Sequence, residues 1–129
     1  MARLHRSKTL RTSRLRCSLL VIVSCLMAGC GNTGSCLFTT DAGYDYCQDF
    51  LGTEFNSSAA ENTCGVGDGA YSSSTCSTAG ALGFCAIGKG TADNYRYTYT
   101  LSPGADAGSV STTTLESACG IAGGTFTPG

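Results

Sequence analysis

Residues 58–71, SAAENTCGVGDGAY, return 55 positions later as residues 113–126, TTLESACGIAGGTF. The two stretches align without a gap. Glu61/Glu116, Cys64/Cys119, Gly65/Gly120 and Gly69/Gly124 are identical, while Ser58/Thr113, Val66/Ile121 and Tyr71/Phe126 are similar. Each copy reads as one local unit. Ser58 with Glu61, and Thr113 with Glu116, match the S/T-x-x-E capping box, in which side chain and backbone satisfy the free N–H groups of a helix start. Gly65 and Gly120 stand where a helix ends in a left-handed cap. The pattern predicts a helix of about two turns with a cysteine near its end, then a glycine-rich turn and an aromatic strand start. A helix that short does not persist alone, so the cysteine has to anchor it. The paired glutamates read as caps rather than as an acid/base couple. Two copies fall short of a solenoid, which needs about three.

Outward from these units the chain reads as short strands. Residues 37–40 and 44–48 flank Asp41-Ala42-Gly43, a hairpin loop. Residues 82–87 precede a Gly-Lys-Gly turn, and residues 94–101, NYRYTYTL, alternate cleanly. Tyr95, Tyr97, Tyr99 and Leu101 point one way, and Arg96, Thr98 and Thr100 the other. Such a tyrosine row suits the core face of a sheet, with hydroxyls reaching the rim, and Tyr95, Tyr97 and Tyr99 are also a candidate ligand stripe. Residues 103–108, PGADAG, form a loop before the second helix. The expected fold class is α+β: a small disulfide-rich domain, an antiparallel sheet with two short helices.

The cysteines depend on what happens at the N-terminus. Residues 1–16 carry Arg3, Arg6, Lys8, Arg11, Arg14 and Arg16 and no acid; residues 17–29, CSLLVIVSCLMAG, carry no charge. Thirteen helical residues would span roughly 20 Å against a hydrocarbon core of ~30 Å. A basic segment, a short apolar run and small residues at its end make a secretory signal. Leu26-Met27-Ala28-Gly29-Cys30 resembles the lipobox of bacterial lipoproteins, with Met27 where leucine is commonest. That resemblance implies cleavage before Cys30 and diacylglyceryl and acyl (palmitate-type) chains on it. It also implies a membrane partner reached through lipid. Gly31, rather than aspartate, follows the cysteine and leans toward the outer membrane. Domain organisation is then a signal peptide at 1–29, a lipidated tether at 30–35 and one cysteine-rich domain at 36–129.

With Cys17 and Cys25 in the signal and Cys30 lipidated, six cysteines remain: Cys36, Cys47, Cys64, Cys76, Cys85 and Cys119. An even six in an exported chain points to three disulfides. No two lie within four residues, so no zinc knuckle of the C-x₂₋₄-C kind exists. Fifteen pairings are open. The cysteine spacing, the tyrosine-rich strand between the last two cysteines and the terminal C-x₄-G-x-F together resemble small cysteine-rich bacterial lipoproteins of uncharacterised function. The likeness runs over residues 30–127 and implies a periplasmic or surface domain. It carries no catalytic residue.

Beyond residue 30 only Lys89 and Arg96 stand against nine acids, a net charge of −7. Such a chain is a poor ligand for phosphate backbones, which bind clustered Lys and Arg, so nucleic acid is not expected as a partner. The only histidine, His5, is in the signal, which removes histidine-based catalysis and ligation from the mature chain. Asp41, Asp45 and Asp49 recur every four residues, but their Tyr-Asp-Tyr setting places them on strand and loop. The glycines at 65–69 lack the G-K-[ST] ending of a phosphate loop. No catalytic constellation, metal site or cofactor other than the lipid is expected. The reading is a lipid-anchored envelope module that binds or builds. Its alternatives are an inhibitor-like or toxin-like module using residues 68–77, and a small carbohydrate-binding module using the tyrosine row. In all of these the ligand, protein or glycan, is unnamed.

Overall fold

The computed structural model describes residues 33–129; the signal and Cys30 lie outside the described residues. In chain order the elements are β1 (Ser35–Phe38), β2 (Tyr44–Phe50), α1 (Ser57–Val66), β3 (Ala70–Ser72), β4 (Ala81–Ile87), β5 (Tyr95–Leu101), α2 (Thr112–Ile121) and β6 (Thr125–Pro128). A single 3-10 turn, Ala107–Ser109, precedes α2. The six strands form one antiparallel sheet in the order β3-β1-β2-β5-β4-β6. The α+β disulfide-rich architecture is as expected from the sequence.

The repeat is larger than the fourteen-residue stretch that first shows it. Cys36 lies opposite Gln48 and Tyr71, and Cys85 lies opposite Tyr97 and Phe126. The hairpins therefore correspond at an offset of 49 (36 to 85, 48 to 97), and the helices and closing strands at 55 (64 to 119, 71 to 126). A longer β5–α2 connection, holding the 3-10 turn, takes up the difference. The molecule is two copies of a ββαβ unit joined edge to edge through β2 and β5. Gln48 pairs with Tyr97, its own equivalent, so a pseudo-two-fold axis passes between them.

Each helix is fixed by matching devices. Buried Ala60 and Cys64 on α1, and Leu115 and Cys119 on α2, are four residues apart and face the sheet. The expected capping boxes at Ser58/Glu61 and Thr113/Glu116 are not formed. The caps are Asn56 and Ser111, two residues upstream. Their side chains accept from the N–H groups of Ala59 at 2.9 Å and Thr114 at 3.1 Å. Both have an extended backbone, and Asn and Ser rank among the best N-caps. Moving the start upstream leaves Glu61 and Glu116 exposed inside helices of ten residues.

The predicted caps at Gly65 and Gly120 are displaced as well: both are helical. The left-handed residues are Asp68 (φ 56°) and Gly123 (φ 76°), again 55 apart. Asp68 and Gly69 donate to the carbonyls of Gly65 and Cys64, and Gly123 and Gly124 to those of Gly120 and Cys119. This is a Schellman ending in both copies. Directly after it the chain crosses its own disulfide. A Cβ on Gly69 would lie 2.2 Å from Cys36 Sγ, and one on Gly124 would lie 2.4 Å from Cys85 Sγ. The identity of these two glycines follows from that close approach.

The disulfides are Cys36–Cys64, Cys47–Cys76 and Cys85–Cys119. The first and third are equivalents, each tying a helix to the first strand of its own unit. Each sits in its own small core, one with Phe50, Ala60 and Phe55, the other with Ile87, Tyr99 and Leu115. The second lies on the opposite face of the sheet and has no counterpart. There the N–H of Cys76 donates to Asp49 Oδ1 at 2.7 Å, and Arg96 Nη2 meets Asp49 Oδ2 at 2.7 Å. Asp49 is fully buried, and the Arg96 guanidinium lies over Phe84. Disulfide, ion pair and hydrogen bond together pin the connection between β3 and β4 across this face.

The domain also starts earlier than the sequence suggested. The N–H of Thr33 donates to the Phe50 carbonyl, Tyr71 Oη donates to the Thr33 carbonyl at 2.8 Å, and Ser35 opens β1. Residues 33–35, expected in the tether, are part of the fold. Likewise β1 ends at Phe38 rather than Thr40, because Thr40 turns the chain: its hydroxyl donates to the Tyr44 carbonyl and accepts from the Ala42 N–H.

Candidate functional site

Strand register decides where the tyrosines meet. Alternation along β5 puts Tyr95, Tyr97 and Tyr99 on one face. Antiparallel pairing with β2 brings Tyr46 opposite Tyr99, and Tyr44 opposite Leu101, on that same face. Cys36 and Cys85 also point to this face, so both disulfide-bound helices lie over it. α1 packs on β1 and β3, and α2 on β4 and β6. The central strands β2 and β5 are thus left between the helices. That trough is lined with phenol rings.

The rings interlock edge to face. Tyr46 and Tyr97 have centroids 5.2 Å apart at 65°, and Tyr44 and Tyr99 5.8 Å apart at 77°. Tyr97 and Tyr99 make a third such contact at 6.4 Å. Edge-to-face packing fixes each ring against the quadrupole of its neighbour, giving a preorganised lining. With Ala118 of α2 and Ala122 just past its end, these four tyrosines enclose a cleft of about 220 Å³. A second, shallower groove of about 480 Å³ runs on from it along α2, sharing Tyr44 and Ala118.

Burial governs the chemistry of the phenols. It pushes the Tyr99 hydroxyl up to about 12, helped by the neighbouring phenols of Tyr44 and Tyr46. Tyr97 is raised too, first by burial and then by Tyr95, Tyr46 and Tyr99 around it. Tyr46 is raised by burial and by Tyr44. A raised phenol remains protonated, so Tyr46, Tyr97 and Tyr99 present neutral hydroxyls that both donate and accept hydrogen bonds.

The residues singled out from the sequence separate in space. Tyr97 and Tyr99 line the cleft, and Tyr99 is also core, at 3% exposed. Tyr95 packs beside Tyr97 in the second core and does not line the cleft. Tyr44 and Tyr46 complete it. The Y-D-Y alternation at 44–46 gave their common face, but only the β2–β5 pairing reveals that they join the β5 row. Ala118 and Ala122 carried no signal, since a small residue on a helix announces nothing until its neighbours are known. The six cysteines are all paired. Asp45 and Asp49 lie on β2, facing away from the cleft. Asp45 accepts from Ser102 Oγ at 2.6 Å and from the Thr40 N–H at 3.3 Å, so it serves the loops. Residues 68–77 form no single projecting loop: Ala70–Ser72 is strand β3, and Cys76 is held to Cys47 and Asp49.

Among the described residues no group of three His, Cys, Asp or Glu side chains is arranged to hold a metal. No described helix is long and apolar enough to cross a membrane. No family model matches the chain, and no curated protein or solved structure matches it either.

Proposed function

We propose that this chain is a lipoprotein of the bacterial cell envelope. Its disulfide-stapled domain is held at the membrane through acylated Cys30, in the outer membrane by preference, and works by binding rather than by catalysis. The observation that carries the reading is the partition of the cysteines. All six downstream of residue 35 are used in disulfides, as an oxidising compartment allows. The one cysteine between signal and fold is Cys30, at the end of a lipobox-like run. The described fold already includes Thr33, whose N–H donates to the Phe50 carbonyl.

The tyrosine cleft supports binding as the mode of action. It is a preorganised concave feature on the helix side, and its lining contains neither a carboxylate nor a cation. The experiment is metabolic labelling with palmitate and detergent-phase partition, comparing the native chain with Cys30→Ser. Label and partition into detergent that both vanish in Cys30→Ser are the expected result. A native chain that takes up no label and stays in the aqueous phase would refute the anchor.

A further inference from the structure

We infer that the tyrosine cleft and the groove continuing from it bind a neutral oligosaccharide. The inference rests on the binding role proposed above, but its test is independent of the anchor.

Charge is the first argument. Neither cavity is lined by a single Asp, Glu, Lys or Arg. A charged ligand would lose its hydration there and meet no counter-ion. The mature chain as a whole, at −7, would also repel an anion at a distance. The ligand class is therefore uncharged.

The second argument is the mixture of groups. The cleft offers the half-buried rings and hydroxyls of Tyr44, Tyr46 and Tyr97, backed by buried Tyr99, over a floor of two alanines. The adjoining groove adds the hydroxyl side chains of Ser111, Thr113, Thr114 and Ser117. At its far wall stands Ile121, which is 87% exposed. Ser111 and Thr114 pair with each other, but a wholly apolar ligand would leave the Thr113 and Ser117 hydroxyls unpaired, and a simple polar solute would leave the rings uncovered. A sugar ring has both kinds of surface: C–H groups on its faces for the aromatic rings, and hydroxyls round its edge for the Ser, Thr and Tyr oxygens.

Size and continuity give the third. Drug-sized pockets run to ~300–1,000 Å³. At about 220 Å³ the cleft is smaller, which suits one ring, and the groove of about 480 Å³ lies in line with it. The shared wall of Tyr44 and Ala118 makes two consecutive subsites, so the fitting ligand is a short chain with one residue seated deeply.

Comparison of the two copies shows why this cleft forms beside α2. The second unit has Ile87 and Val110 where the first has Phe38 and Phe55, and it has Ala118 where the first has Thr63. The first unit fills its helix-side space with Phe50, Phe55 and Phe38. In the second the smaller side chains leave Tyr44, Tyr46 and Tyr97 partly exposed beside Ala118.

The test uses the full mature lipoprotein in detergent, applied to an array of neutral hexose and N-acetylhexosamine oligosaccharides. Proline-rich peptides and acidic glycans are printed beside them. The variants are Ala118→Leu, which fills the junction of the subsites without removing a core atom, and Ser117→Val, which removes one groove hydroxyl. Near-UV circular dichroism checks that both remain folded. The expected result is retention on neutral oligosaccharides of two or more residues, weakened at least tenfold by Ala118→Leu and severalfold by Ser117→Val. Retention on proline-rich peptides or acidic glycans alone would overturn the inference. So would the absence of retention on any neutral oligosaccharide, or retention that a folded Ala118→Leu leaves intact. None of these outcomes bears on palmitate labelling at Cys30, so the anchor stands or falls separately.

Discussion

Asp68 occupies a left-handed backbone, φ 56°, at the position where its equivalent in the second unit is Gly123. A side chain there costs about 1 kcal/mol relative to glycine, less for Asp and Asn than for bulkier residues. Asp68→Gly is therefore expected to stabilise the domain by ~0.5–1 kcal/mol in chemical denaturation, with no change in the slope of the transition. A destabilised variant would mean that the Asp68 side chain has a role of its own.

The tyrosines make the second prediction at this scale. Tyr46, Tyr97 and Tyr99 hold their protons more tightly folded than unfolded, because burial penalises the phenolate. Folding stability from this source is complete below the ordinary phenol value of about 10. It is lost as pH rises toward the folded value, about 12 for Tyr99. Phenolate absorbance should show these three of the six tyrosines ionising late and together with loss of near-UV dichroism. Six tyrosines ionising near the ordinary value with the fold intact would contradict the packing described.

Among the elements, the disulfides differ in access rather than in loop length. Loops of 28, 29 and 34 residues give similar restriction of the unfolded chain, ~3.5–4 kcal/mol each by the chain-entropy estimate. Cys36, Cys64, Cys85 and Cys119 are fully buried, whereas Cys47 is half-buried and Cys76, itself 5% exposed, is flanked by the exposed residues 72–75 and 77–80. Mild reduction followed by alkylation should label Cys47 and Cys76 first and leave both helices in place. Early label on Cys64 or Cys119 would show that the helices open before the loop does. The same connection depends on Arg96. Replacing it by Leu strands the fully buried carboxylate of Asp49. Breaking a buried pair costs ~3–5 kcal/mol. The loss here should fall near or below the lower end, since Arg96 is 37% exposed and Asp49 keeps the Cys76 N–H. Equal stability of Arg96→Leu in urea would show that the pair is not needed to hold the loop.

At the scale of the whole molecule, the repeat was legible wherever identity rests on a steric requirement. Gly69 and Gly124 recur because nothing larger passes the disulfide, and Cys64 and Cys119 recur because each anchors a helix. The hairpin halves were hidden because their equivalents share only shape. Phe50 and Tyr99 fill the same buried position, and Asp49 and Thr98 the same position on the opposite face, without resembling each other in sequence. Helix ends were misplaced by two or three residues for a related reason. Several good cap residues lie side by side at 56–58 and 111–113, and tertiary anchoring chooses among them. The pairing of cysteines, and the meeting of Tyr44 and Tyr46 with Tyr97 and Tyr99, are long-range facts that local pattern does not contain. The sheet itself ends in short strands, β3 of three residues and β6 of four with Pro128 at its end, which blunts both edges against further pairing.

The domain is made of two disulfide-stapled ββαβ units, and the membrane tether is the proposal added to it. The most direct test of both is a peptide map, made without reduction, of the protein isolated from the envelope. Three cross-linked pairs are expected, Cys36 with Cys64, Cys47 with Cys76 and Cys85 with Cys119, together with an N-terminal peptide that begins at an acylated Cys30. Any other pairing of the six would contradict the fold, and an N-terminal peptide that still contains residues 1–29 would contradict the tether.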